Sequence, residues 1–280
     1  MIKLGCCLPG GAFIPTQENE APATVVQEFI AKCRFIQDCG FDYVECGATV
    51  IAQFTEEEWQ AVLAEHTKKP LGIRAVSSLF PSTYHLYDPG EQWDEIISYL
   101  HGLIDRLVIL GVQYVVFGSG KARSIPEGMD AKTCFENVRK VMCAFADYAE
   151  PKGITMVLEP LRSKESNIYN LVPVCAEEVR LVNRTGVKLL ADSYHMAYEE
   201  TPPEVVEDCA ELLFHCHIAE APDRTPPGIF TTGDPDYNRR FADALKKSGY
   251  SGGVSIECGY KDCKSEIPIA LAYMRSIFAE

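Results

Sequence analysis

Short apolar runs and longer amphipathic stretches alternate eight times along this chain of 280 residues. Between the apolar runs, apolar residues recur at a spacing that is typical of helices. Apolar runs separated by helices predict parallel strands that are buried on both faces of a sheet. The predicted strands cover 3–8, 43–46, 71–76, 114–117, 154–158, 187–191, 212–219 and 254–256. The predicted helices cover 23–39, a stretch from 55, then 91–110, 131–149, 173–183, a short one near 202–203, 238–248 and 266–278.

Eight strand-helix units favour a closed (β/α)₈ barrel, a fold that typically needs about 250 residues. No linker or low-complexity segment divides the chain, so we expect one barrel domain over residues 1–280. An open doubly wound sheet is the alternative. It lacks support because no Gly-x-Gly-x-x-Gly motif follows the first predicted strand.

Charge and cysteine content narrow the classes of function. The formal net charge is −14, and no basic cluster interrupts it, which argues against a nucleic-acid or membrane partner. The twelve cysteines lie mostly inside apolar runs and form no Cys-x-x-Cys pair, which indicates buried thiols in a reducing cytoplasm. The sequence contains no run of 18 apolar residues, so we expect no membrane span.

Four consecutive predicted strands end in side chains that can bind a metal ion. Glu159, Asp192 and Glu257 follow the fifth, sixth and eighth apolar runs, and His217 lies late in the seventh. Taken singly, each of these four residues could equally be a solvated residue, a helix cap or a core residue instead of a metal ligand. Strand ends of a barrel meet at one mouth, however, and buried carboxylates that converge there repel one another without a cation. Three carboxylates and an imidazole suit Mn²⁺, the expected ion, or Mg²⁺, Co²⁺ or Zn²⁺.

Two further ionisable residues lie near these strand ends. His215 shares a strand face with His217 but lies one layer deeper, which favours a place in the core or beside the ligands. Glu45 ends the second strand. We interpret Glu45 either as a substrate or orienting residue at the mouth or as a capping or ion-paired carboxylate.

The segments around the mouth leave other interpretations open. The glycine-rich segment after the fourth strand could bind phosphate through its backbone N–H groups and Lys121 or Arg123, but a tight turn is favoured. Aromatic residues near strand ends could form the apolar side of a pocket, although they more often belong to the core. These are Phe13, Phe80 and Phe117.

Several segments in the second half of the chain carry a resemblance to a known family. They are Glu159-Pro160 with Glu165, Asp192-Ser193-Tyr194-His195-Met196, His217-Ile218-Ala219-Glu220 with Arg224, Gly249-Tyr250-Ser251-Gly252 and Ser255-Ile256-Glu257. Through these segments the chain resembles the xylose-isomerase-like barrel superfamily, and more closely its ketose 3-epimerase branch, the tagatose and allulose 3-epimerases. The first half supports the fold more than the activity.

This resemblance implies a metal-dependent isomerase or epimerase that acts on a small keto sugar through an enediolate. Glu159 and Glu257 would both bind the metal and exchange a proton with the carbon beside the carbonyl. Asp192 and His217 would complete the metal ligands. The resemblance also implies a homodimer or homotetramer. The residues that resemble those holding the sugar are Glu165, His195 and Arg224.

Three other functions fit parts of the pattern. A lyase that dehydrates a keto-inositol or related polyol would begin with the same proton abstraction. A phosphoesterase similar to endonuclease IV would need more histidines than the six present, and the acidic charge disfavours DNA. A non-catalytic binding barrel would not need two carboxylates, Glu159 and Glu257, on one metal.

Overall fold

The computed structural model of the protein describes residues 2–16 and 21–279. Eight parallel strands pair in chain order, and the last strand pairs with the first, so the sheet closes into a barrel. The prediction of a (β/α)₈ barrel is therefore confirmed. The strands are β1 (Lys3–Cys7), β2 (Tyr43–Gly47), β3 (Ile73–Ser77), β4 (Tyr114–Phe117), β5 (Thr155–Leu158), β6 (Val187–Asp192), β7 (Leu213–Ile218) and β8 (Gly253–Ile256).

Helices connect the strands and cover the outside of the barrel. They are α1 (Val25–Cys39), α2 (Ala48–Gln53), α3 (Glu56–Lys68), α4 (Trp93–Leu110), α5 (Gly120–Arg123), α6 (Ala131–Ala149), α7 (Val172–Val182), α8 (Ser193–Tyr198), α9 (Tyr237–Lys247) and α10 (Cys263–Phe278). Short 3₁₀ helices cover Gly90–Gln92, Glu150–Lys152 and Pro203–Cys209. Within the part of the chain that the structure describes, no helix has the length and apolar content to cross a membrane.

Local side-chain chemistry determines where several helices begin and end. Thr24 and Thr55 each accept a hydrogen bond from the third residue of the following helix in a reciprocal capping box. Gly40 ends α1 at a φ of 91°, a left-handed conformation that glycine adopts without strain. Asp262 caps α10 through the Lys264 N–H, so this helix starts three residues before the predicted 266.

The sequence pattern misses three short helices and mistakes the type of a fourth. The helices α2 and α8 follow directly on β2 and β6, and two residues separate α5 from the end of β4. All three are too short to show a helical period. The helix predicted near 202–203 is the 3₁₀ helix Pro203–Cys209. These short helices matter because they bend the chain at the mouth of the barrel.

The apolar core lies mainly between the strands and the surrounding helices, whereas the inside of the barrel is partly polar. Val116, Val157 and Leu190 form a small separate apolar cluster on the inward faces of β4 to β6. Above it, towards the carboxyl ends of the strands, Glu45 and His217 are fully buried. The barrel therefore places ionisable groups directly below its mouth.

Candidate metal and active site

Four predicted metal ligands lie together at the carboxyl ends of β5 to β8. Glu159, Asp192, His217 and Glu257 each offer one ligand atom, and these four atoms lie within 4.8 Å of one another. Nδ1 of His217 is 3.1 Å from Oε1 of Glu159 and 3.0 Å from Oε2 of Glu257. Three carboxylates and one imidazole at this spacing fit a single hard or borderline divalent cation.

Glu45 contacts the imidazole of His217 on the side that faces away from the mouth of the barrel. Its Oε1 is 2.9 Å from Nε2 of His217, and its Oε2 is 2.8 Å from Nε2 of His215. All three side chains are fully buried. Although burial would raise the pKa of Glu45, the two histidines hold it well below its ordinary value. Glu45 is thus an ion-paired residue that orients His217 and leaves Nδ1 facing the other carboxylates.

The two glutamates of the cluster have pKa values displaced in opposite directions. Burial raises the pKa of Glu159, and the negative charge of Glu257 adds to this effect. Burial acts on Glu257 too, but His217 and Arg224 lie beside it and lower its pKa. Paired carboxylates in unlike environments are the usual arrangement for proton donation and acceptance at one site.

Arg224, a predicted substrate residue, reaches the cluster from the loop after β7. Its Nη2 is 2.6 Å from Oε2 of Glu257 and 3.4 Å from Oδ2 of Asp192. Its backbone is left-handed, with a φ of 54°, which non-glycine residues rarely adopt. Such strain concentrates at functional sites, where the surroundings enforce it. The guanidinium thus provides a positive charge at the edge of the carboxylate cluster.

The other two predicted substrate residues lie beside the same cluster. His195 is almost fully buried on α8, and its Nε2 is 3.5 Å from Oδ2 of Asp192. Its Nδ1 accepts the backbone N–H of Arg162 at 3.2 Å. Glu165 pairs with Nε of Arg162 at 2.6 Å. The structure therefore brings all seven predicted site residues to one end of the barrel.

A cavity of about 310 Å³, called the inner cavity here, opens above the cluster. Glu159 and Glu257 lie on its wall together with four serines, which are Ser77, Ser78, Ser82 and Ser119. Among the aromatic residues singled out in the sequence, Phe80 lines this cavity, whereas Phe117 is fully buried in the core. A wall rich in hydroxyl and charged groups suits a polyhydroxylated ligand.

The segment after β4 shapes the site in a way that the sequence did not reveal. A Cβ on Gly118 would lie 2.3 Å from Oε2 of Glu159, so any residue other than glycine would displace that carboxylate. Arg123 is fully buried, and it donates to the carbonyl oxygens of Phe117 at 2.8 Å and Glu159 at 2.7 Å. The interpretation of Arg123 as a phosphate ligand is wrong, because its guanidinium instead joins the ends of β4 and β5. The sequence pattern does not indicate this role of Arg123, because Lys-Ala-Arg is typical of an exposed loop.

The model of the xylose isomerase-like TIM barrel family matches residues 33–277. The chain belongs to this family. It is 35% identical to an L-ribulose 3-epimerase of Methylomonas sp. (strain DH-1) over 225 residues, which is 78% of this chain and 74% of the relative. It is 26% identical to a ketose 3-epimerase of Arthrobacter globiformis over 228 residues, which is 79% of this chain and 74% of the relative.

A solved structure shares the fold along the whole chain. The 3-keto-D-glucoside 4-epimerase from E. coli superimposes with a TM-score of 0.79 at 20% identity, covering 99% of this chain and 100% of that chain. This likeness shows the fold alone. The relatives found by sequence carry the names of epimerases and isomerases, and the predicted class of enzyme, an isomerase or epimerase, is confirmed.

Proposed function

We propose that this protein is a divalent-metal-dependent epimerase or isomerase of a keto sugar. The observation that carries the proposal is the position of Glu159 and Glu257. Both place a carboxylate oxygen about 3 Å from Nδ1 of His217, at 3.1 and 3.0 Å, and both line the inner cavity. The names of the sequence relatives, a ketose 3-epimerase and an L-ribulose 3-epimerase, support a sugar with a carbonyl group.

The residues that would hold the cation are Glu159, Asp192, His217 and Glu257, and the proposed ion is Mn²⁺. When bound, a divalent cation would polarise the carbonyl of the sugar and stabilise negative charge on its oxygen. Glu45 would keep His217 in the orientation that presents Nδ1 to the site.

The two glutamates would carry the proton between the faces of one carbon. One carboxylate removes the proton from the carbon beside the carbonyl, and the electrons of the C–H bond move towards the carbonyl oxygen to give an enediolate. The other carboxylic acid returns a proton to the opposite face, which inverts that carbon. Arg224, 2.6 Å from Glu257, would attract the negative oxygen.

The rest of the inner cavity would hold the hydroxyl groups of the sugar. His195 and Glu165 line this cavity together with four serines, and all of these side chains can hydrogen-bond to a polyol. The two sequence relatives described above are epimerases of ketoses by name, and we propose a substrate of that kind for this chain. The homodimer or homotetramer and the cytoplasmic location stay predictions.

Metal analysis and isotope exchange test the proposal together. Purified protein, analysed for bound metal and then incubated with a panel of keto sugars in D₂O with and without Mn²⁺, is expected to place deuterium on the carbon beside the carbonyl. Mass spectrometry separates the reactions, because an epimer keeps the mass of the sugar apart from deuterium, whereas the alternative dehydratase removes water. Metal-loaded protein that exchanges no proton of any keto sugar would rule the proposal out.

A further inference from the structure

Tyr194 is buried beside the proposed site but has no role in it so far. It is the second residue of α8, its side chain is only 2% exposed, and its backbone N–H donates to Oδ1 of Asp192 at 2.8 Å. Within the part of the chain that the structure describes, Glu165, His195 and Arg224 line the inner cavity, but Tyr194 does not. We therefore expect Tyr194 to influence the reaction only through its neighbours.

Two guanidinium groups pack on the ring of Tyr194. Cζ of Arg224 is 4.8 Å from the ring centroid, and Cζ of Arg162 is 5.1 Å from it. Nη1 of Arg162 also donates a hydrogen bond to the hydroxyl of Tyr194. A cation within about 6 Å of an aromatic centroid is attracted by the negative face of the ring, and the attraction is stronger where water is excluded. Because the ring is buried, water weakens these two contacts little.

Each of the two guanidinium groups also pairs with a carboxylate on the wall of the inner cavity. Nε of Arg162 is 2.6 Å from Oε1 of Glu165, and Nη2 of Arg224 is 2.6 Å from Oε2 of Glu257. Both glutamates line the inner cavity. The ring of Tyr194 therefore contacts two ion pairs, one beside the place proposed for the sugar hydroxyls and one beside the metal cluster.

Arg224 needs a contact that fixes its side chain when a cation is bound. The side chain is 26% exposed, and a long side chain loses much rotamer freedom when it is held in one position. Its two ionic partners, Glu257 and Asp192, are both proposed metal ligands. A bound cation would attract these carboxylates and repel the guanidinium. The contact with the ring of Tyr194 involves no metal ligand, so it would remain.

We propose that Tyr194 is a positioning residue whose ring holds the guanidinium of Arg224 at the edge of the metal cluster during the reaction. This proposal rests on the proposed function, in which Arg224 attracts the negative oxygen of the enediolate. A positive charge that is already in place when the oxygen becomes negative stabilises the transition state more than one that must first move there. Tyr194 would thus affect the rate of enolisation although it does not contact the sugar.

Two substitutions of Tyr194 test this role through the kinetics of proton exchange. Exchange is measured in D₂O at saturating Mn²⁺, with the keto sugar that the original protein exchanges fastest. Tyr194→Leu removes the aromatic ring, and we expect kcat to fall about tenfold. KM should change by less than about twofold, because the supported contact forms only in the transition state. Tyr194→Phe keeps the ring and loses only the hydroxyl, so its kcat should lie within about threefold of the original value.

A double-mutant cycle shows whether Tyr194 acts through Arg224. In protein that already carries Arg224→Gln, the addition of Tyr194→Leu should change kcat by no more than about twofold, because the group that the ring holds is absent. Phe145→Leu is the matched control for the loss of a buried aromatic ring. Phe145 is fully buried on α6, outside the inner cavity and the metal cluster, so its substitution should lower the melting temperature but leave kcat unchanged.

Several results would overturn the role of Tyr194 and leave the proposed function intact. Full exchange in Tyr194→Leu or in Arg224→Gln would do so, as would losses from these two substitutions that multiply in the double variant. A rise in KM at unchanged kcat would show that Tyr194 supports binding of the sugar instead. A Tyr194→Phe variant as slow as Tyr194→Leu would assign the effect to the hydroxyl. Absence of exchange by the original protein with every keto sugar removes the proposed function, and this proposal with it.

Discussion

The two halves of the barrel mouth differ in what their strands provide. The half formed by β5 to β8 ends in the charged cluster of Glu159, Asp192, His217 and Glu257. The half formed by β1 to β4 lines the cavities at the mouth with small or uncharged residues, among them Cys7, Gly47, Ser77 and Gly118. It is called the uncharged half for this lining, although Glu45 and Arg123 lie buried behind it. One half thus supplies the groups that can bind a cation and move protons, and the other supplies space for a ligand.

The uncharged half nevertheless controls the geometry of the charged one. Glu45, on β2, holds His217 through Nε2 at 2.9 Å. Arg123, which follows β4, holds the carbonyl oxygen of Glu159 at 2.7 Å. Gly118 leaves the space in which the Glu159 carboxylate lies. We therefore expect substitutions in the charged half to lower the rate of proton exchange strongly. Substitutions in the uncharged half should have smaller effects, through the geometry of the site or its affinity for the metal.

The largest effect is expected from neutralising either glutamate of the charged half. Glu159→Gln and Glu257→Gln keep the shape of the side chain but remove the group that accepts a proton. Each should lower the rate of proton exchange beside the carbonyl by about 10³-fold, since a positioned acid or base contributes on the order of 10²–10⁴-fold. Exchange is measured in D₂O at a Mn²⁺ concentration that saturates each variant.

Glu220→Gln is the matched control for these substitutions. Glu220 is also buried, follows β7, and accepts the backbone N–H of Gly228 at 2.8 Å, but it lies outside the metal cluster. Its substitution should leave exchange within about twofold of the original protein. Full exchange in both Glu159→Gln and Glu257→Gln would show that neither carboxylate transfers the proton.

An intermediate effect is expected from Gly118→Ala in the uncharged half. The added Cβ would lie 2.3 Å from Oε2 of Glu159, so the carboxylate must move away. A displacement of about 1 Å at a reacting group can cost about 10²-fold, and we expect a loss of that size in kcat for exchange. Gly102→Ala, on α4, is the control, because a Cβ there meets no atom within 4 Å. If Gly118→Ala and Gly102→Ala react equally fast, the position of Glu159 does not depend on this glycine.

The sequence predicted the charged half far better than the uncharged one. Glu159, Asp192, His217 and Glu257 each follow or end an apolar run, and barrel topology alone brings such residues together. The bounds of β6 and β8 also match the predicted ranges to within one residue, because both strands are apolar runs with clear ends. Apolar runs and the order of the strands can both be taken from the sequence, and they are sufficient to predict which residues form the charged cluster.

Contacts between segments that are far apart in the chain could not be predicted from the sequence. Arg123 lies in a polar stretch that reads as a loop, and only the fold shows its guanidinium buried against the carbonyl oxygens of two strands. The need for glycine at 118 depends on a carboxylate 41 positions later. Glu45 was left between two interpretations, because its pairing with His215 and His217 joins residues about 170 positions apart.

The smallest effect, on metal affinity, is expected from Glu45→Gln. An amide oxygen can still accept the Nε2–H of His217, but the negative charge that raises the basicity of the imidazole is lost. The dissociation constant for Mn²⁺ should rise by about 10–100-fold, as is typical when a residue that supports a metal ligand is changed. Competition with a chelator measures this without any substrate, and Glu220→Gln again controls for the loss of a buried carboxylate. An unchanged Mn²⁺ affinity in Glu45→Gln would mean that Glu45 only fills the barrel, and that the two halves of the mouth are not coupled through His217.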